Sequence, residues 1–167
     1  DNFSSTNIEN LVNYLSNKNI VLDSFSIQNK SQLDILIRSN IKISILQLPF
    51  NLIDNKLYES IFINNKYSNI FKVARSMLGS GLLGDRLWEF EFPKNDSLRK
   101  RFWDCKNKNT FRSRIKKREQ IHYFIKEIFP NEVKRYGYGA VILAVTSSLK
   151  GIDLSVYGGR NPLGVKK

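Results

Sequence analysis

Short apolar runs separated by helix-like stretches constrain this chain more than anything else in it. Residues 20 to 26 (IVLDSFS), 43 to 48 (ISILQL) and 70 to 75 (IFKVAR) have the length of strands, and a last run lies at 153 to 157. The first three recur at intervals of about 20 to 25 residues, with apolar residues at helical spacing between them. A parallel neighbour is reached only by a crossover connection, so this alternation predicts βαβ units and a parallel sheet.

Local signals fill in the elements. Thr6 to Glu9 has the S/T-x-x-E form of a capping box, and Ile8, Leu11, Val12 and Leu15 follow on one face, predicting a helix to about Asn17. Ser31 to Asp34 offers a second cap, ahead of Leu33, Leu36 and Ile37. Pro49 has no amide hydrogen, so the strand should end there and lead into a loop. Residues 55 to 64 read as a helix. From Met77 to about Asp96 runs an insert, glycine-rich first and then aromatic, which is a loop or a short added hairpin. Residues 111 to 128 are helical by pattern, with Ile115, Ile121, Ile125 and Ile128 among basic residues. Pro130 should break that helix and Asn131 cap the next. Tyr138 to Leu149 is apolar on nearly all sides, and Gly151 ends it. Without an internal repeat or a linker, the expectation is one domain over residues 1 to 167.

The net charge of +12 and pI near 9.9 point toward nucleic acid, since Lys and Arg displace counterions from phosphate backbones. The excess comes with abundant Asn and Ile, however, as an AT-rich coding sequence would give through its codons. Hydrophobic content of 41% with 12% aromatics supports a folded domain. Cys105 is the one cysteine and His122 the one histidine, so neither an internal disulfide nor a zinc cluster can be built. Nowhere do apolar residues run long enough to cross a membrane, and DNFSSTN is not a signal peptide. The expectation is a soluble cytoplasmic protein.

Four segments, in order, resemble the aldo/keto reductase family. ISILQLPFNLIDNKL resembles that family's sixth strand and loop, and VLDSFSIQNKSQLDIL its fifth strand and helix, "GVSxxxxxqL". FKVARSMLGSGLLG resembles the seventh strand and its "RSxxxqGLL" loop, and GIDLSVYGGRNPL the eighth strand and its "vivGxrnp" loop. The resemblance covers the chain from about residue 7 to the end. It implies a partial (β/α)8 TIM barrel, the last half with about four parallel βα units, because a whole barrel takes roughly 250 residues and this chain has 167. The family's catalytic Asp, Tyr, Lys and His come from the first four units, and no position here matches their motifs. The chain also starts at Asp1 without a methionine and stops five residues after Pro162, where the family continues into a final helix. The expectation is a fragment or an unusually reduced member, with no catalytic residue of its own.

What the resemblance implies for binding can be placed residue by residue. Ser26 and Gln47 would lie beneath the nicotinamide, where an amide can hydrogen-bond the cofactor's carboxamide; Gln47 is otherwise a satisfied polar residue in a strand. Ile27 departs from the Asn often found after that Ser. Arg75, Ser76, Leu78 and Gly81 match the loop that passes over the pyrophosphate, where backbone amides and the Ser hydroxyl would bind. Gly158, Gly159, Arg160 and Asn161 match the region holding the adenosine 2′-phosphate, so that NADP would be preferred to NAD; an Arg in a terminal loop is otherwise a solvated charge. GSGLLG, residues 79 to 84, also satisfies G-x-G-x-x-G, but DRLWEFEFP is a poor helix and no strand follows promptly, so a Rossmann reading is not favoured. Between Arg99 and Arg118 lie ten basic residues and one acid, Asp104, with Phe102, Trp103 and Phe111 interleaved. That is the make-up of a nucleic-acid surface, and equally of a helix with aromatics inward and charges in water, the reading preferred here. His122 reads as a surface or packing residue.

Two functions follow. The first is the NADP(H)-binding portion of an aldo/keto reductase-like oxidoreductase, acting on a small carbonyl substrate only when an N-terminal half completes it. The second is a noncatalytic basic half-barrel that serves as a binding or assembly subunit, self-associating or joining a partner chain, with RNA as the less favoured partner.

Overall fold

The computed structural model describes residues 4–85 and 108–157, with backbone alone at 108–111. These fall into two compact units interleaved along the chain: 4–50, 55–75 and 149–156 form one, and 51–54, 76–85, 108–148 and 157 the other. Among the described residues no helix is long and apolar enough to cross a membrane.

The first unit opens with α1 (Ser5–Ser16). Its cap is Ser4, whose hydroxyl oxygen accepts from the Asn7 amide at 3.3 Å, and not Thr6. The same shift recurs at α2 (Lys30–Arg38), which Asn29 caps by accepting from the Gln32 amide at 3.1 Å, in place of Ser31. In both cases a residue of equal capping chemistry lies two positions upstream, and the helix takes the earlier start. Gln32 also accepts from the Gln28 amide at 2.6 Å, satisfying a second donor at that end. Leu33 and Leu36 of α2 are fully buried.

Strands β1 (Ser24–Ser26), β2 (Ile45–Pro49), β3 (Phe71–Arg75) and β4 (Leu154–Val156) form one parallel sheet whose order follows the chain. A doubly wound sheet reverses its order at a switch point; this one does not, so the order is that of a section of a (β/α)8 barrel. Strand β1 is shorter than the apolar run at 20 to 26, since pairing begins only at Ser24 against Ile45. Side chains alternate across the sheet. Leu46, Leu48 and Ala74 are wholly buried on one face. On the other, Ile45, Phe71, Leu154 and Val156 are 40 to 51% exposed. That open face carries Ser26, Gln47 and Val73 in register, and beyond them Pro49 beside Arg75.

After β2 the expected helix is a π-helical turn over Tyr58–Phe62, closed by the Ile63 amide on the Tyr58 carbonyl at 3.1 Å. The wider turn accompanies an aromatic cluster in which Phe50 lies 5.4 Å from Tyr58 and 5.7 Å from Phe62 between ring centroids. The Tyr58 hydroxyl donates to the Lys150 carbonyl at 3.0 Å, tying this turn to the approach to β4. Next to it, Gly151 has φ +84°, and a Cβ there would overlap the carbonyl oxygen of Phe62.

In the second unit, α3 (Lys108–Ile128) and α4 (Pro130–Ser147) pack on one another, and the core there includes Leu82, Leu83, Ile125, Val141 and Ile142. Pro130 begins α4, where its missing amide hydrogen costs nothing. Asn131 is therefore inside the helix and is not its cap; Phe129 holds that position without a side-chain bond. Gly137, at φ 82° and ψ 165°, breaks α4 internally. Asp85 caps the segment beyond the break, accepting from the Tyr138 amide at 2.5 Å and the Gly139 amide at 3.3 Å.

Gly151→Ala is expected to destabilise the chain by about 1–3 kcal/mol, toward the upper end because the obstructing atom is backbone. Urea unfolding of the variant beside the parent checks this.

Candidate functional site

Strand β1 delivers Ser26 and β2 delivers Gln47 as register partners, and their side chains meet: the Ser26 hydroxyl donates to Gln47 Oε1 at 2.9 Å. This contact uses the acceptor end of the amide, and the donor end remains for a carbonyl oxygen. Arg75 stands at the carboxyl end of β3, half-buried, with Nη2 donating to the Ile27 carbonyl at 3.2 Å, immediately beyond Ser26. Burial lowers its pKa from the ordinary guanidinium value, and an arginine so placed is still charged at neutral pH. Within the first unit Ser26 and Arg75 end β1 and β3, and Gln47 lies two residues short of the end of β2, toward the carboxyl side of the sheet, where α/β folds place their ligands.

Ser76, Leu78 and Gly81 belong to the loop that follows β3, in the second unit. Its backbone is unusual. Ser76, Gly79, Ser80 and Gly81 all have positive φ, between 56° and 95°. For the two serines this conformation is uncommon and strained, and its clustering in one loop is a mark of functional segments. The amides of Gly79, Gly81, Leu82, Leu83 and Gly84 donate to carbonyls of the loop itself, at 2.8 to 3.3 Å. Leu78 packs against the apolar core of its unit. Of the glycines of GSGLLG, Gly79 and Gly81 sit in a short 3-10 turn and Gly84 in a bend beyond it, and no α-helix opens over residues 79–85.

The loop's end is held by two residues of α3. Arg118 donates from Nε to the Leu82 carbonyl at 2.8 Å and from Nη2 to the Gly84 carbonyl at 3.3 Å, and His122 Nε2 lies 3.1 Å from the Leu83 carbonyl. His122 also stacks on Tyr138, 4.0 Å between ring centroids and 4° between planes. It is a packing residue, as expected. Burial pushes its pKa below the ordinary 6.5, against the raising effect of the Leu83 carbonyl, and the Arg118 charge adds to the depression.

Of the basic stretch from Arg99 to Arg118, Arg112 and Lys116 are exposed, Lys117 is exposed but donates from Nζ to the Ile53 carbonyl at 3.5 Å, and Arg118 is buried. Phe102, Trp103 and the Phe111 side chain lie outside the described residues, as do Gly158, Gly159, Arg160 and Asn161. Reading the sequence missed Arg118 and Asp85. The available signal was spacing: Ile115, Arg118, His122 and Ile125 follow one another at three and four residues, which puts both polar side chains on the apolar stripe.

Four parallel strands in chain order form a section of a (β/α)8 barrel. Among solved structures, the chain is similar to the glycerol dehydrogenase AKR11B4 from Gluconobacter oxydans, at 20% sequence identity and a TM-score of 0.64. The match covers 99% of this chain and 48% of that one, so the chain spans about half that protein's length. No protein-family model matches the sequence, and no curated protein matches it.

The depressed pKa of His122 has a consequence for stability. Its folded-state value lies below the unfolded 6.5, so on acidification the unfolded chain takes up the proton first. The contribution is fully present above about pH 6.5 and is lost progressively as pH falls below it. Urea midpoints taken between about pH 7.5 and about pH 5.5 should fall with pH, and His122→Gln should flatten the fall.

Proposed function

We propose that this chain is the NADP(H)-positioning, C-terminal half of an aldo/keto reductase-like oxidoreductase that interconverts small carbonyl compounds and alcohols. The observation that carries this reading is the Ser26–Gln47 hydrogen bond between two parallel strands, at the end of β1 and the middle of β2. It orients the Gln47 amide and leaves its donor end for a carboxamide oxygen. By the resemblance, Arg75 and Ser76 match the positions that receive the pyrophosphate, and Arg160 the one that receives a 2′-phosphate through its planar fork. The nicotinamide, when bound, supplies the hydride. This chain's residues bind and orient; the proton donor and the lysine that tunes it must come from a complementing half. Glycerol dehydrogenase, the activity in the name of the similar structure, fits that chemistry, since it too relates an alcohol to a carbonyl.

The open sheet face favours a second reading. Ile45, Phe71, Leu154 and Val156 are half exposed on it, and β1 and β4 are edges without a further strand among the described residues. Such a face and such edges favour association. A complementing half-barrel satisfies both readings, and a noncatalytic assembly subunit, with RNA against its exposed Arg112, Lys116 and Lys117, satisfies the second alone.

A fluorescence titration of the purified chain separates them. NADPH should bind more tightly than NADH, Gln47→Leu should weaken binding about tenfold, and Arg160→Ala should remove the preference for NADPH. The chain alone should reduce no aldehyde faster than heat-treated protein does. Equal binding by the Gln47 variant, or turnover by the chain alone, contradicts the proposal. Absence of cofactor binding together with salt-sensitive RNA binding favours the second reading.

A further inference from the structure

The contacts between α3 and the end of the loop after β3 have a regularity that the cofactor reading leaves unused. Leu82, Leu83 and Gly84 are consecutive, and each carbonyl is met by a side chain of α3: the first and third by Arg118, the middle one by His122. Both side chains are more than nine-tenths buried, Arg118 with 7% and His122 with 8% of its surface exposed. A buried guanidinium is costly unless its donors are matched. Here the fixed fork matches two carbonyls that flank a third, which a Lys ammonium, a single point charge, cannot do as well. With Nε2 of His122 as the donor to Leu83, Nδ1 carries no proton in the neutral ring. The hold continues beyond the carbonyls, because Asp85 caps the broken end of α4 at Tyr138 and His122 stacks on that same tyrosine.

This places firm anchors on both sides of a strained segment. On its N-terminal side Arg75 is paired in the sheet, where its carbonyl accepts from the Phe50 amide at 2.9 Å. On its C-terminal side stand Arg118 and His122. Between them lie Ser76, Gly79, Ser80 and Gly81 with positive φ, a conformation that persists only where the surroundings determine it.

We propose that Arg118 and His122 are positioning residues which, by holding the carbonyls of Leu82, Leu83 and Gly84, keep the loop from Ser76 to Gly81 in the form that receives a dinucleotide phosphate. The proposal rests on the cofactor reading given above. Neither side chain contacts the ligand; they act by sparing it the cost of ordering the loop.

Amide hydrogen exchange by mass spectrometry, run beside an NADPH titration, tests this on the parent chain, Arg118→Met, Arg118→Lys and His122→Phe. The methionine keeps the apolar stem and removes the donors; the phenylalanine keeps the stack on Tyr138 and removes the hydrogen bond. In Arg118→Met, amides 79 to 84 should exchange about tenfold faster and NADPH should bind about tenfold more weakly, while exchange in β2 and β3 is unchanged. Arg118→Lys should fall between this variant and the parent. If Arg118→Met loses protection in the sheet as well, His122→Phe and Arg118→Lys carry the comparison. Loop exchange at the parent's rate, or faster loop exchange with undiminished NADPH affinity, overturns the proposal. If the parent itself fails to bind NADPH, the cofactor reading is what fails; accelerated loop exchange in Arg118→Met then still upholds the anchoring, and unaltered exchange overturns it.

Discussion

The register of β2 in the parallel sheet is the constraint on which the rest of the first unit depends. Pairing sets Gln47 beside Ser26 on one side and Val73 on the other, and Pro49 beside Arg75. A slip of one residue would turn every side chain of β2 to the opposite face. Leu46 and Leu48, both wholly buried, would move to the open face at a cost of about 1.5–3 kcal/mol each. Gln47 would enter the apolar side without Ser26, with a further penalty of about 1–3 kcal/mol for an unpaired amide. The apolar alternation of ILQLP thus fixes where the polar residue between the two leucines must stand. Packing and site geometry are determined by the same five residues.

Half of a barrel has a consequence that a whole barrel hides. In a closed barrel the inward side chains of opposing strands fill one another's space. Here four strands present Ile45, Phe71, Leu154 and Val156 with no opposing strand among the described residues. The similar glycerol dehydrogenase chain is about twice as long, the match covering 48% of it. Half-exposed apolar side chains therefore share the open face with Gln47 and Arg75.

Periodicity made the four strands and most helices legible, because burial of alternate or every-third-and-fourth residues is written directly in apolar residue types. The Gln47 setting in QLPFN was legible for the same reason, whereas the helix expected to end at Gly151 ends at Ser147, capped by Ser148, and Gly151 lies in the turn beyond. Caps were legible in kind but not in place, since Ser4 competes with Thr6 and Asn29 with Ser31 on equal chemical terms. Arg118 and Asp85 were not legible. Their partners are backbone groups distant in sequence, the Leu82 carbonyl 36 residues from Arg118 and the Tyr138 amide 53 residues from Asp85, and a charged residue on a helix among other charges reads as solvated until its neighbours are known. The π-helical turn at Tyr58–Phe62 likewise answers to Phe50 and Lys150, which no local pattern includes.

The most direct test of this account is the parallel register itself, read from interstrand proton contacts in the nuclear magnetic resonance spectrum of the purified chain. The account predicts contacts that pair Ser26 with Gln47, Gln47 with Val73 and Ala74 with Ser155, in strands running the same way. Antiparallel pairing, or a register displaced by one residue at β2, would remove Gln47 from the open face and contradict it.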